Sequence, residues 1–544
     1  MKEKLFLLFI IFIAFVLRFW NLSNIPVSLS HDEVAIGYNA WSILQTGKDE
    51  YGTSYPVLFR SFEDYKLPGY IYSVAISEKL FGITPFGVRF PSAVLGVLTV
   101  VALYFLVKEL IPDKNSKIPL LASMMLSISP WHVNFSRAAF EANGSLFFIV
   151  LSVLLLFKGV KNNRYFILAS FFAAISIYFY YTARVLLPIL FISIFILYRK
   201  EILKNVKYTI FALLLALILL LPLSRVMFNE GSSRLNQISI FNDRSLTNPY
   251  SEAVVRNNNS QISKVIYNRR LAFLQEFSDN YLKNFSPDFY FTNGTGPMGL
   301  LYLWEIPFFF SGIYFLLKIE NRRKWIILIW FLTVPVVGGL SLGQPNALRT
   351  LANAPVVAVF TAFGLFYLYL KLRKQRYFKV FMSLFILISV FSFLRFLMLY
   401  FDYYNNLNAS GWQDGSRQMV TYVAKHKSEY DSIYITGENW RPYIFYLFYN
   451  RYSPLSYQAL GSKDKIENIY FGTADWDKGN ELKLNEGDLS LLIKGKTLFI
   501  LSNKDLLSQE RMIRNSTLYK YKLNIVGKIN GDIIKNAYYA VILE

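Results

Sequence analysis

Tyr70-Ile71-Tyr72-Ser73-Val74-Ala75-Ile76-Ser77-Glu78-Lys79-Leu80-Phe81 decides how this chain is threaded. The run is apolar but only about three helical turns long, short of the ~20 residues with which a helix crosses a bilayer. Counted as a span, it would put five basic loops on the side opposite the N-terminus; left out, it puts all five on the N-terminal side. Short cytoplasmic loops are rich in Lys and Arg. Tyr70 to Phe81 therefore reads as a re-entrant or interface-lying helix inside a first outer loop, residues 21–89.

Outward from that loop, Leu5 to Trp20 is an apolar run preceded by Lys2 and Lys4 with no small-residue cleavage site behind it, and reads as an uncleaved first span. Further runs follow at Phe90–Leu110, Ile118–Pro130, Phe140–Phe157, Tyr165–Tyr181, Val185–Tyr198 and Tyr208–Leu223. After a polar gap come Gly299–Leu317, Trp325–Leu342, Leu351–Leu370 and Phe378–Tyr400, which makes eleven spans. The basic loops carry Lys108, Lys114 and Lys117; Lys158, Lys161 and Arg164; Arg199 to Lys207; Lys318 to Lys324; and Lys371 to Lys379. The expectation is an α-helical polytopic protein of the plasma (inner) membrane with a cytoplasmic N-terminus.

Composition agrees: 544 residues, 54% hydrophobic and 18% aromatic, are too apolar for a soluble enzyme of this size. With no cysteine, disulfides, thiolate metal sites and cysteine nucleophiles are excluded. The net charge of +21 is spread over cytoplasmic loops rather than gathered in one patch, so membrane lipids and not nucleic acid are the expected partner.

Against the charge bias, Arg89, Arg137, Arg184 and Arg349 stand at outer mouths of spans, and Lys66 lies in the first outer loop. Each alone can snorkel to headgroups or pair with a nearby acid. Together they favour an anionic ligand at the outer leaflet, phosphate above all. The same loop holds Ser30-His31-Asp32-Glu33 and Glu63-Asp64-Tyr65-Lys66. Ser30 and Glu33 have the spacing of a capping box on a helix reaching about Leu44. That box accounts for Glu33 and leaves Asp32 as the freer carboxylate, able to take a proton from an attacking hydroxyl or to stabilise a developing positive sugar ring. Arg137 and Glu141 stand four apart, which on one helix makes a plain ion pair. His31 and His132 could join acids around a divalent metal, but no compact ligand spacing supports one.

In order along the chain, Asp32-Glu33, Tyr65-Lys66-Leu67-Pro68-Gly69-Tyr70, Val88-Arg89-Phe90-Pro91-Ser92-Ala93, Ser129-Pro130, Ser136-Arg137 and Glu141 resemble the C-type (GT-C) membrane glycosyltransferases. The branch they resemble holds the protein O-mannosyltransferases and the lipid A aminoarabinose transferases. The resemblance is clearest over residues 1–180 and extends to Asn346-Ala347-Leu348-Arg349. It implies the GT-C fold and an enzyme that moves a sugar from a polyprenyl-phosphate carrier to an acceptor lipid, glycan or protein. Asp32, with Glu33 beside it, matches the acidic catalytic position. Lys66, Arg137 and Arg349, with Arg89, fall where the carrier phosphate is held, and Glu63, Asp64, Glu141 and His31 are candidate supports. Leu67-Pro68 replaces a common double proline, and Glu141 a common aspartate. No metal ligand is carried over, because no matching histidine stands in the later outer loop; a requirement for a divalent metal is left open. Phosphate leaves as an anion, so cations stabilise its departure while a base serves the hydroxyl on the opposite face, and inversion follows.

Residues 225–298 form a long polar outer segment, expected helical around Ser263–Phe285. From about Phe401 the chain turns soluble. Strand patterns at Ser432–Thr436, Thr497–Leu501 and Tyr538–Leu543 alternate with helical ones at Gln418–His426 and Pro442–Tyr449, which predicts an extracytoplasmic α/β domain over 401–544 after a transmembrane domain over 1–400. Exposed Trp412, Trp440 and Trp476 would suit carbohydrate. Two rival readings remain: a polysaccharide polymerase or ligase using a diphosphate-linked oligosaccharide, and a lipid or solute transporter, which should show mid-membrane ionisable groups and internal repeats.

Overall fold

Helices occupy every apolar run of the sequence: α1 (Lys2–Phe19), α4 (Pro85–Leu110), α5 (Ile118–Ile128), α7 (Glu141–Lys161), α8 (Tyr165–Phe179), α9 (Thr182–Leu203) and α10 (Val206–Asn229) are followed by Ile306–Lys318, Lys324–Gly339, Ala354–Leu372 and Phe378–Met398. The computed structural model describes residues 2–62, 64–111, 113, 116–229, 239–295, 298–437, 441–460, 465–472, 495–502, 506 and 523–543. Among these, five stretches are long and apolar enough to cross a membrane: Pro85–Leu110, Glu141–Lys161, Val206–Val226, Leu351–Leu372 and Phe378–Leu407. The rest are shorter or more charged. The third run is cut at Ser129-Pro130, where a proline cannot extend α5, and a separate helix α6 (Pro130–Arg137) starts with Ser129 Oγ accepting from the His132 N–H. In Val206–Val226 and Phe378–Leu407 almost no side chain is covered by protein. Helices so apolar and so bare are stable only against lipid.

One core runs through the apolar helices; a second joins residues 29–88 to the C-terminal sheet and its helices. Within residues 29–88, α2 (His31–Thr46) is fixed at its start by the capping box, Ser30 Oγ accepting from the Glu33 N–H and Glu33 Oε2 from the Ser30 N–H. It ends at Gly47, whose φ of 69° lets the chain turn back on the Ile43 carbonyl. A hairpin of β1 (Phe59–Ser61) and β2 (Asp64–Lys66) follows, pairing Phe59 with Lys66 and Ser61 with Asp64. The short apolar run Tyr70–Phe81 lies in α3 (Pro68–Phe81), 14 residues with Pro68 in its first turn. It packs against α2, α4 and α8.

The long segment after α10 is helical at Arg244–Arg256, Gln261–Ile266, Arg269–Lys283 and Pro287–Phe291, a wider helical share than the sequence suggests. Beyond Phe378–Met398 a π-helical turn at Leu399–Tyr403 leads out of the apolar region. A six-stranded mixed sheet then forms from β3 (Ser432–Ile435), β4 (Lys465–Ile466), β5 (Ile469–Phe471), β6 (Thr497–Ser502), β7 (Leu523–Ile529) and β8 (Tyr538–Leu543), in the order β4-β5-β3-β6-β8-β7. The helix Pro442–Tyr449 carries this unit onto α2 so closely that a Cβ on Gly37 would stand 2.5 Å from Phe448 Cε2.

Candidate active site

Adjacent residues of α2 end in opposite surroundings. Asp32, in the first turn, keeps its side chain 54% exposed and places Oδ1 2.5 Å from Lys66 Nζ. The Lys66 side chain is only 8% exposed, because β2 and the start of α3 hold its stem within the loop. His31 stands on the same edge: its Nε2 is 3.8 Å from Asp32 Oδ2, and its backbone N–H donates to Gln413 Oε1 at 3.0 Å. Burial lowers the His31 pKa, against the pull of Asp32, so the ring is neutral near pH 7.

Glu33 points inward. Arg89, 0% exposed, donates from Nε to Oε1 at 2.9 Å and from Nη2 to Oε2 at 3.0 Å. Its remaining N–H groups reach the carbonyls of Ser28 (2.5 Å), Leu22 (3.2 Å) and Pro26 (2.8 Å). All five guanidinium donors are thus in use. Glu33 Oε1 also accepts from the Ala139 N–H at 3.0 Å. Glu33, expected at the catalytic position, and Arg89, expected at the phosphate, are here each other's partners. Together they cross-link the loop, α4 and the break after α6, because five donors meeting five acceptors leave nothing for a substrate.

Arg137, also expected at the phosphate, turns both Nη groups to backbone carbonyls, while its buried Nε has no hydrogen-bond partner among the described residues. It is 0% exposed and donates to the carbonyls of Leu17 (2.8 Å), Trp20 (2.7 Å) and Ile25 (3.0 Å), with Phe401 stacked 4.8 Å from its guanidinium carbon. It caps the C-terminal end of α1. The helix breaks at Ala138–Phe140, so Glu141 opens α7 and among the described residues the Arg137–Glu141 pair does not form. His132 accepts from buried Arg18 at Nδ1 (2.7 Å). Arg349 is half-buried; its N–H donates to Asn346 Oδ1 and its Nη1 to the Leu342 carbonyl. Asp64 lies in β2, while Glu63, Trp440 and Trp476 fall outside the described residues. Among the described residues no three of His, Cys, Asp and Glu gather as a metal site.

The sequence reading missed what the C-terminal unit brings. Gln413 holds the start of α2, and Trp412, half-buried rather than exposed, lies 5.8 Å from the Arg89 guanidinium carbon. Buried Glu50 accepts from Asn39 Nδ2 (3.0 Å) and Tyr443 OH (3.3 Å), a second tie between loop and domain. Asp49-Glu50, acidic residues just past an apolar helix, was the available signal. A cavity of about 330 Å³ opens beside Trp412, between the 134–140 turn and Asn346-Ala347-Leu348.

Over its whole length the chain is similar to ArnT from Cupriavidus metallidurans in a crystal structure with bound undecaprenyl phosphate, at a TM-score of 0.58 and 12% identity, covering 99% of this chain and 98% of that one. The fold is that of the GT-C glycosyltransferases. Residues 66–224, less than a third of the chain, match the family described as dolichyl-phosphate-mannose-protein mannosyltransferase. Lys66, Arg89, Arg137 and Glu141 lie inside the matched residues, Asp32, Glu33 and Arg349 outside. An uncharacterized protein of Aquifex aeolicus is 30% identical over 209 residues, 38% of this chain, and the match spans only 40% of that protein's length. The apo Archaeoglobus fulgidus oligosaccharyltransferase has a TM-score of 0.48 at 14% identity, with 81% of this chain on 63% of that one.

Proposed function

We propose that this chain is a glycosyltransferase that takes a sugar from a polyprenyl-phosphate donor and places it on an acceptor hydroxyl at the outer membrane face, by direct displacement with inversion. The observation that carries the reading is the Asp32–Lys66 pair: an accessible carboxylate held by a nearly buried ammonium, one residue from a sealed ion pair. Asp32 is the base and accepts the acceptor's hydroxyl proton. The freed oxygen attacks the anomeric carbon, the bond from that carbon to the phosphate oxygen breaks, and its electron pair leaves with the phosphate. Lys66 and Arg349 are the cations at that phosphate. An ammonium has three donors and a flexible stem, so an arriving phosphate can draw Lys66 from Asp32 and uncover the base only when donor is present.

Two comparisons support the donor class: the family matched at 66–224 is described by dolichyl-phosphate-mannose, and ArnT, of the same fold, binds undecaprenyl phosphate. The orientation follows from the basic loops, with the N-terminus cytoplasmic and the 401–544 domain outside, at the plasma membrane. The reading is tested with purified protein in lipid nanodiscs, a panel of radiolabelled polyprenyl-phosphate sugars and a membrane extract as acceptor. Label passing to the extract from at least one monosaccharide donor is the expected result. Transfer only from diphosphate-linked oligosaccharides would replace the reading with that of a polymerase or ligase.

A further inference from the structure

The 330 Å³ cavity beside Trp412 has a particular lining. None of its lining residues is charged. Asn134 is 6% exposed, and its carboxamide has no protein partner among the described residues. Thr295 Oγ1, also buried, has none either. Asn346 uses its Oδ1 to accept from the Leu348 and Arg349 N–H groups, which leaves its amide donors toward the cavity side. Phe140 and Trp412, ring centroids 6.5 Å apart, form an aromatic wall that Tyr404 extends.

Buried amides and hydroxyls left unmatched are costly, so such a chamber is built for a ligand that supplies both donors and acceptors. A sugar ring does so with its hydroxyls and lays its C–H face on aromatic walls. The position narrows the occupant further. Asn346 begins the stretch that ends in Arg349, and Trp412 precedes Gln413, which holds the N–H of His31 next to Asp32. The chamber thus adjoins the Asn346–Arg349 stretch on one side and, through Trp412, the neighbour of the residue that holds the His31 N–H on the other.

We infer that this chamber holds the sugar being transferred, that Asn134 and Trp412 are its contacts, and that it takes an uncharged sugar. The inference rests on the glycosyl-transfer reading above. An ammonium- or carboxylate-bearing sugar finds no counter-charge among the lining residues. Trp412 and Tyr404, which extends its wall, both belong to residues 401–544, which makes that part of the chain part of donor recognition.

The test is direct binding in nanodiscs of three probes: bare polyprenyl phosphate, its neutral hexosyl ester and its amino-sugar ester. The hexosyl ester is expected to bind roughly tenfold more tightly than the bare carrier. Asn134→Ala and Trp412→Ala should each erase most of that gain while leaving bare-carrier affinity unchanged, a control that also shows the variants are folded. Asn134→Asp should shift preference toward the amino sugar. Equal affinity for bare and hexosyl carriers, or wild-type preference for the amino sugar, overturns the inference alone. Binding of none of the three overturns the glycosyl-transfer reading and this inference with it.

Discussion

Asp32 and Glu33 are the same chemistry on consecutive residues of one helix, yet one faces solvent on a lysine and the other is sealed on an arginine. Successive positions on an α-helix point about 100° apart, so a loop folded around α2 can bury one carboxylate and present the next. The partners suit the roles. Arg89 is planar and fixed, and it meets Glu33 through two parallel bonds that set the loop's geometry. Lys66 offers a compact charge on a flexible stem that can change partners. Rigidity is kept on the inner pair and adaptability on the outer one.

The sharpest way to break this contrast is to neutralise each carboxylate in turn. Asp32→Asn is expected to lower transfer by about 10²–10⁴-fold, the usual worth of a positioned base, with thermal stability and membrane insertion near wild type. Normal turnover in this variant would remove Asp32 from the mechanism. The inner pair should respond in the opposite currency. Arg89→Ala leaves Glu33 buried without its cation and is expected to cost about 3–5 kcal/mol of stability, read as a lowered unfolding midpoint in detergent. Combining it with Glu33→Gln should recover part of the loss, since the stranded charge is gone. If Arg89→Ala were stable but blind to donor lipid, Arg89 would return to the phosphate.

Lys66 should show a smaller and different effect. Lys66→Ala is expected to weaken donor-lipid binding by roughly 1.5–3 kcal/mol, the range for a hydrogen bond to a charged group, with acceptor affinity little changed. Unchanged donor affinity would leave Lys66 as no more than the holder of Asp32.

Much of this was legible in the sequence, and the limits have physical reasons. The period and length of apolar runs, the basic loops and the capping spacing are local signals, and they gave the helices, the short α3 and the Ser30–Glu33 box. The roles of Arg89 and Arg137 were not legible, because an arginine at a span mouth reads the same whether its donors meet phosphate or the carbonyls of residues 17–28, and those carbonyls are sequence-silent. The tie of Gln413 to the start of α2 was hidden for a related reason: it spans 382 residues, through a docking that no spacing encodes. The eleven apolar runs were plain, whereas the cut at Pro130 and the shortness of several helices blur which of them cross.

The smallest expected effect probes how the two carboxylates are kept apart. Ser30→Ala removes the side-chain acceptor for the Glu33 N–H and should cost about 1 kcal/mol, the usual worth of an N-cap. Glu33 would still be held by Arg89 and the Ala139 N–H, and the His31 N–H by Gln413, so the first turn has anchors besides its cap. Turnover should therefore stay within a few-fold of wild type even as the unfolding midpoint drops. Should turnover collapse while the midpoint holds, Asp32 would owe its position to the cap rather than to the buried ion pair beside it. The inner pair would then be a brace for the fold alone, and the division of labour between the two carboxylates would have to be drawn at Ser30.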